Sequence, residues 1–182
     1  YLGEFLNDRR TGQGRLTLAD GEVYEGQFLN GLKSGTGKTV FSDGSIYRIY
    51  EGQFSNDKQS GKGTLTLKTG DVYVGEFVDD APNGQGKLTW IDGRVYEGAF
   101  KDGKREGKGD FLWSGGERYI GYFVNNVLQG QGTYRWPDGN SYKGNFENGS
   151  ITGKGKFTWA DGRNYEGDFR KGVREGKGIL RW

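Results

Sequence analysis

Apolar and polar positions alternate along this chain in short bursts that recur on a fixed period. The first burst is Tyr1-Leu2-Gly3-Glu4-Phe5. With its Tyr as position 0, Tyr, Gly and Phe fall at positions 0, 2 and 4, and alternation of this kind puts them on one face of a β-strand. The same Tyr recurs at Tyr24, Tyr50, Tyr73, Tyr96, Tyr119, Tyr142 and Tyr165, at steps of 23 residues with one step of 26. After each Phe come six residues rich in Asn, Asp, Gly and Lys, such as Leu29-Asn30-Gly31-Leu32-Lys33-Ser34, which predict a turn. At position 11 every copy begins a Gly-x-Gly pair, from Gly12/Gly14 to Gly176/Gly178. It opens a predicted second strand that runs to about position 17. Asp20-Gly21, Asp43-Gly44, Asp92-Gly93, Asp138-Gly139 and Asp161-Gly162, with Thr69-Gly70 and Gly115-Gly116, then predict a hairpin into the next Tyr.

Eight such copies predict an all-β chain: one single-layer, elongated, twisted antiparallel sheet built from consecutive hairpins. Positions 0, 2, 4, 11, 13, 15 and 17 share a face rich in rings and glycines. Bare Cα atoms there leave room for a neighbouring ring to lie on the backbone. The other face carries Glu25, Gln27, Glu51, Gln53, Glu97, Glu166 and Asp168 on first strands, and Lys62, Lys87, Lys108, Lys154, Lys156 and Lys177 on second strands. A solvated face with weak ion pairs and a basic lipid site both fit that pattern. The one irregular step inserts Tyr47-Arg48-Ile49 before Tyr50, which predicts a longer strand or a bulge.

The chain resembles the MORN repeat family over its whole length. The resemblance is carried by Tyr24-Glu25-Gly26-Gln27-Phe28, Gly35-Thr36-Gly37 and Asp43-Gly44, with equivalents in every copy. Two departures stand out: Phe5, Phe28, Phe54, Phe77, Phe100, Phe123, Phe146 and Phe169 occupy a place where the family often has Trp, and the family's His before Gly-x-Gly is missing. The resemblance implies one continuous array over residues 1–182, with repeats starting at 1, 24, 50, 73, 96, 119, 142 and 165. It also implies a scaffold of cytoskeletal or membrane-contact structures, or a phosphoinositide-binding module. A third implication is a targeting module of a larger enzyme, such as a lipid kinase or methyltransferase. The chain starts on a repeat boundary without Met and is read as a segment of a longer protein.

Composition narrows the chemistry. Gly accounts for 36 of 182 residues, but Pro is only 2 and aromatics are 15%, which excludes collagen and flexible linkers. Net charge is +2, from 26 basic and 24 acidic residues. That balance speaks against nucleic acid and against strong attraction to anionic membranes. No apolar run reaches membrane-spanning length, and no signal peptide is visible. There is no His and no Cys, which removes the usual general base, thiol nucleophile and zinc ligands. The Gly-x-Gly pairs open β-strands rather than helices, so they are not dinucleotide fingerprints. No catalytic residue, metal or cofactor is expected.

Position 17 singles out one half of the chain. It is Leu18, Phe41 and Leu67 in the first three copies, then Trp90, Trp113, Trp136, Trp159 and Trp182. Repeat packing and a ligand groove both account for such a column; the groove would combine the five Trp with Phe100, Phe123 and Phe146. On the opposite face Ala99, Leu112, Ile120 and Tyr122 replace polar residues and form a candidate second interface, with Leu112 expected opposite Ile120. The expected function is a non-catalytic, cytoplasmic adaptor associated with the cytoskeleton or membranes. Its partner would be a peptide or helix of another protein, a second copy joined through a terminal edge or the Trp-rich end, or weakly held anionic lipid.

Overall fold

The computed structural model describes residues 1–182. It is all-β: a 16-stranded open sheet whose order follows the chain. The strands are β1 (Leu2–Leu6), β2 (Arg9–Thr17), β3 (Val23–Leu29), β4 (Leu32–Val40), β5 (Tyr47–Ser55), β6 (Lys58–Leu67), β7 (Val72–Val78) and β8 (Ala81–Thr89). Then come β9 (Val95–Lys101), β10 (Lys104–Leu112), β11 (Arg118–Val124), β12 (Val127–Arg135), β13 (Ser141–Glu147), β14 (Ser150–Thr158), β15 (Asn164–Arg170) and β16 (Val173–Arg181). Two compact units are distinguishable: Tyr1–Ile91 with Lys101–Gly103, and Asp92–Phe100 with Lys104–Trp182.

Each repeat is one hairpin, and its turn is tighter than the polar stretch predicts. Positions 6 and 7 alone form it, both at positive φ: 52° and 90° at Asn30 and Gly31, 47° and 72° at Asn125 and Asn126. This is the type I′ geometry whose twist matches that of the flanking strands. The other four residues of the stretch extend both strands, so that Leu29 pairs with Leu32 and Val124 with Val127.

The first glycine of Gly-x-Gly makes room for no ring, contrary to expectation. It carries a bulge. In β3–β4, Gly26 pairs with Gly37 but Phe28 pairs with Lys33, so two extra residues enter the second strand. Gly35 sits there at φ 60°, a conformation glycine adopts without steric cost. The position-3 side chain closes the bulge: Gln27 Oε1 accepts from Thr36 N at 3.0 Å, and Gln53 Oε1 from Lys62 N at 2.9 Å. The same register shift recurs in β1–β2, β5–β6, β7–β8, β11–β12, β13–β14 and β15–β16. Its consequence is that position 9, formally part of the turn stretch, joins the aromatic face.

Between repeats, apart from the longer loop at Asp43-Gly44, the connections at Leu18, Leu67, Trp113, Trp136 and Trp159 are three-residue loops. Gly116 N donates to Trp113 O at 3.0 Å and Trp113 N to Glu117 O at 2.9 Å, a type I turn closed by a glycine bulge. Where the loop has Asp, its carboxylate accepts the N–H two residues on, as at Glu22, Arg94, Asn140 and Arg163. The insertion lengthens both the loop after Phe41, whose N–H donates to Arg48 O, and β5, where Arg48 forms a one-residue bulge: Tyr47 pairs with Leu67 and Ile49 with Thr66.

The core is a ladder of Tyr and Phe on one face. In the first unit Tyr24 meets Phe28 at 5.1 Å and Phe54 at 4.9 Å, edge to face. In the second, Tyr119 meets Phe123 at 5.3 Å and Phe146 at 4.9 Å. Each Tyr thus locks its own repeat to the next, in the geometry aromatic pairs prefer. Tyr50, Tyr96, Tyr119 and Tyr142 are 0% exposed. Each ring lies across the glycines at positions 2 and 13. A Cβ on Gly132 would come 2.6 Å from Cζ of Tyr119, and one on Gly63 would come 2.6 Å from Cε2 of Tyr50. The hydroxyls donate to the position-3 carbonyl, as from Tyr24 to Gln27 O at 2.9 Å.

Burial pushes the Tyr24, Tyr50, Tyr73, Tyr96 and Tyr119 phenols up to about 12. In the unfolded chain a phenol ionises near its ordinary value of about 10. The folded state therefore holds its protons longer. The resulting stability is complete below pH 10 and is lost as pH climbs from 10 towards 12. Thermal unfolding followed by circular dichroism is expected to show a midpoint level below pH 10 and falling steeply above it. A midpoint that stays level up to pH 12 would contradict the buried-phenol core.

Candidate functional site

In the second unit a further aromatic ladder runs beside the Tyr–Phe core, built from positions 15 and 17. Phe111 and Trp113 lie 4.3 Å apart, Trp113 and Tyr134 5.4 Å, Tyr134 and Trp136 4.6 Å, Trp136 and Phe157 5.4 Å, and Phe157 and Trp159 4.9 Å. Loop geometry fixes the backbone that carries each indole. The backbone N–H and C=O of Trp113, Trp136 and Trp159 both bond across the loop that follows, so the Trp stands at the base of a closed turn. Phe111 is buried, whereas Trp113, Tyr134, Trp136, Phe157 and Trp159 are half-buried. No second layer covers them.

Position 9 links the two ladders. Arg105 holds its guanidinium 4.7 Å from the Phe111 centroid and 5.4 Å from that of Phe123. Arg174 lies 5.4 Å from Trp159 and 5.6 Å from Tyr165. Between these two cations, position 9 is Leu128 and Ile151. The middle of the strip is therefore apolar and its ends carry guanidinium groups stacked on rings.

The expected groove residues separate into two depths. Trp113, Trp136 and Trp159 come together in the ladder. Trp182 is 87% exposed beyond it, with Arg163 5.4 Å from its ring. Trp90 belongs to the first unit, at the end of β8. Phe100, Phe123 and Phe146 are 5%, 1% and 3% exposed. They belong to the Tyr–Phe core and form a floor, not a lining. Strand parity predicts their face correctly but carries no information on depth.

On the opposite face, Leu112, Ile120 and Tyr122 are exposed and Ala99 is half-buried. Leu112 pairs with Arg118 and Ile120 with Asp110, so the two apolar residues are diagonal neighbours rather than opposite. The turn closes on Glu117, so Leu112 meets Arg118, two residues short of Ile120. A bidentate pair from Arg118 to Asp110 and the Lys108 ammonium, 5.5 Å from the Tyr122 ring, divide the patch.

Two groups of residues join the expected ones in three dimensions. Phe111, Tyr134, Phe157, Leu128 and Ile151 complete the aromatic strip; the signal for the last two is hidden by the bulge. On the polar face Lys143, Lys154, Lys156, Lys177 and Arg181 surround a shallow depression of about 610 Å3 together with Glu166. Lys143 and Lys156 stand directly opposite each other across β13–β14. Ion pairs tie Lys154 to Asp168 and Arg181 to Glu166, both at 3.4 Å, leaving Lys143, Lys156 and Lys177 without a carboxylate partner. No cluster of three or more His, Cys, Asp or Glu side chains could hold a metal ion, and no helix is long and apolar enough to cross a membrane.

Compared with curated proteins, the sequence matches none. Among solved structures, the Drosophila melanogaster SAS-4 (dCPAP) TCP domain, in complex with a proline-rich motif of Ana2 (dSTIL), is similar at 14% identity. The match covers 84% of this chain and 86% of that one, with a TM-score of 0.41. The CPAP G-box domain matches at 16% identity over 94% and 99% of the two chains, with a TM-score of 0.38. The TCP10 domain of Danio rerio CPAP, in complex with a STIL peptide, matches at 14% identity over 91% and 87%, with a TM-score of 0.36. At these scores the likeness decides nothing about function. The sequence profile of the MORN repeat matches residues 1–23, 24–46, 50–72, 73–93, 96–118, 119–141, 142–162 and 165–182. Eight matches from one end to the other, each starting on a Tyr of the core ladder, make the chain a member of the MORN repeat family.

Proposed function

We propose that the chain is a non-catalytic adaptor module that binds an extended or helical segment of another protein along the Trp113–Trp159 ladder. One observation carries this reading: a continuous row of half-buried rings, in which the indoles of Trp113, Trp136 and Trp159 alternate with Tyr134 and Phe157, lies with an apolar strip at Leu128 and Ile151 on a sheet with no second layer. Rows of Trp are the surfaces on which apolar anchors of a bound segment gain most. Trp182 prolongs the lining, and Phe100, Phe123 and Phe146 are its rigid floor. A scaffold of this kind fits cytoplasmic assemblies at the cytoskeleton or at membrane contacts, the settings expected of MORN proteins.

The test is a random-peptide display selection against residues 1–182, followed by calorimetric titration of the selected peptides. Trp136→Ala is expected to weaken them by about 2 kcal/mol or more, and Leu18→Ala, the same column in the first repeat, to leave them unchanged. Peptides that bind both variants equally well would sink the assignment, as would a selection that enriches nothing.

A second reading, attraction to anionic membrane surfaces, is favoured by the lysine-lined depression on the polar face. Its strength is limited. Each well-placed lysine contributes about 1 kcal/mol near an anionic bilayer, and Lys143, Lys156 and Lys177 are the three that lack carboxylate partners. Flotation with phosphatidylserine vesicles is expected at low salt, to disappear at physiological ionic strength, and to be lost in Lys143→Glu/Lys156→Glu. Flotation that survives physiological salt would show a stronger lipid site than these residues provide.

A further inference from the structure

The repeats act as controls for one another, because a residue that departs from its counterparts in the other copies is not required by the fold. On the polar face, position 1 is Glu in four repeats, at Glu25, Glu51, Glu97 and Glu166, and Lys in one, at Lys143. In the first unit, charges alternate across neighbouring strands: Arg15 pairs with Glu25 at 3.0 Å, and Lys38 with Glu51. In the second unit like faces like. Lys143 stands directly opposite Lys156, and Arg118 opposite Arg135. Such placements are destabilising in a sheet. Asp110 relieves Arg118 through a bidentate bond. Nothing in the chain relieves Arg135, Lys143 or Lys156, none of which has a carboxylate partner.

These three cations converge on one place. Ser141 pairs with Arg135 on one side and Thr158 on the other, and Lys143 with Thr133 and Lys156. All six residues line a depression of about 500 Å3. The hydroxyls of Thr133, Ser141 and Thr158 make no hydrogen bond within the chain. The depression therefore offers three positive groups and three hydroxyl donors with no acceptor of their own. A phosphomonoester suits it. It carries a charge of about −1.5 to −2 and three acceptor oxygens, and a guanidinium holds it through two parallel bonds. A carboxylate brings a single charge and fewer oxygens.

The apolar patch of the same face lies in line with the cations. Ile120 pairs with Thr133, Thr133 with Lys143 and Lys143 with Lys156, so apolar and cationic side chains rise from one row across β11, β12, β13 and β14. Tyr122 and Leu112, both exposed, extend the apolar end. A bilayer takes apolar side chains about 5–10 Å into its headgroup–acyl boundary and keeps cations above them. Side chains at one height on a sheet are not sorted in that way, whereas a polypeptide presents anionic and apolar groups side by side. We propose that this face, opposite the tryptophan row, binds a phosphorylated segment of another protein, with its phosphate among Arg135, Lys143 and Lys156 and an apolar side chain on Ile120 and Tyr122. Ile120 and Lys143 are two strand spacings apart, about 10 Å, which an extended chain covers in about three residues. The apolar residue therefore lies about three positions from the phosphorylated one.

The test uses residues 1–182 and synthetic peptides with a fixed central phosphoserine and degenerate flanks, beside the same peptides with serine. The phosphorylated set is expected to be retained and to enrich an apolar residue about three positions from the phosphoserine. The enriched peptide is then titrated by fluorescence anisotropy. Replacing its phosphoserine by serine, or Lys143→Glu in the protein, is expected to weaken binding at least about tenfold, the scale of one lost charge-assisted hydrogen bond. Ile120→Thr, which keeps a β-branched strand residue, is expected to weaken it several-fold. Lys143→Glu installs the residue that four other repeats carry and gives Lys156 a carboxylate, so its thermal midpoint is expected to be unchanged or raised. Loss of binding is then not loss of fold. Equal retention of both peptide sets, an affinity indifferent to Lys143→Glu or to Ile120→Thr, or displacement of the peptide by phosphatidylserine vesicles at physiological salt would overturn the proposal; the last result would assign the cations to a membrane instead.

Discussion

Tyr119→Ala is expected to cost about 3–5 kcal/mol, the scale set by emptying a fully buried aromatic site. Tyr119→Phe is expected to cost about 1 kcal/mol, the net value of one hydrogen bond. The contrast follows from the two jobs the side chain has. Its ring, 0% exposed, is held edge-on by Phe123 and Phe146 and joins two repeats. Its hydroxyl donates to Tyr122 O at 3.1 Å, which only finishes the arrangement. In a repeat array, stability is a sum of units and of the interfaces between them, and this residue belongs to both terms. Urea unfolding monitored by indole fluorescence reports it directly, because all the tryptophans lie in the last five repeats. Equal losses for the two substitutions would mean that the hydroxyl, not the ring, organises the repeat.

A complementary experiment adds a single carbon. Gly132→Ala is expected to destabilise by roughly 3 kcal/mol, the upper end for overpacking a closed site. The new Cβ would lie 2.6 Å from Cζ of Tyr119, and that ring cannot retreat between its Phe neighbours. Gly44→Ala is the matched control. Nothing lies within 4 Å of a Cβ at Gly44, and no positive φ is required there. Its expected effect is neutral, or a slight gain from a less flexible unfolded chain. If both substitutions cost the same, the close approach of ring to backbone is not what demands glycine at position 13.

The periodic features were legible because each is enforced in every copy by the same local physics. A Tyr two residues before a glycine, and another glycine at position 13, predict a ring lying on bare backbone. That is what Tyr24 does on Gly26 and Gly37. The turn was harder to read. Asn30-Gly31 and Asn148-Gly149 are ordinary type I′ dipeptides, yet Asp79-Asp80 and Asn125-Asn126 take the same positive φ values without glycine. Lys and Arg around them blur the boundary. The bulge at Gly35 has no signature beyond the glycine itself, because its stabilising bond comes from Gln27, nine residues away from Thr36. Missing it hides position 9, and with it Leu128 and Ile151 in the candidate groove. The Trp column was visible from spacing alone. The burial of Phe123 was not, because it depends on Tyr96 and Tyr119 closing over it from adjacent repeats.

The three-residue insertion ahead of Tyr50 has a practical corollary. Its extra length is absorbed between Phe41 and the bulge at Arg48, and by Gly52–Gly63 the pairing is back in the register of every other repeat. The loop at Asp43-Gly44 is solvent-exposed, and Gly44 has open space around its Cα. Loop tips with these properties accept foreign sequence with little penalty. This loop is therefore a natural port for engineering: an epitope, a fluorophore-bearing peptide or a small folded domain can be spliced in there. The tryptophan row and the lysine-lined depression would remain untouched for the binding measurements.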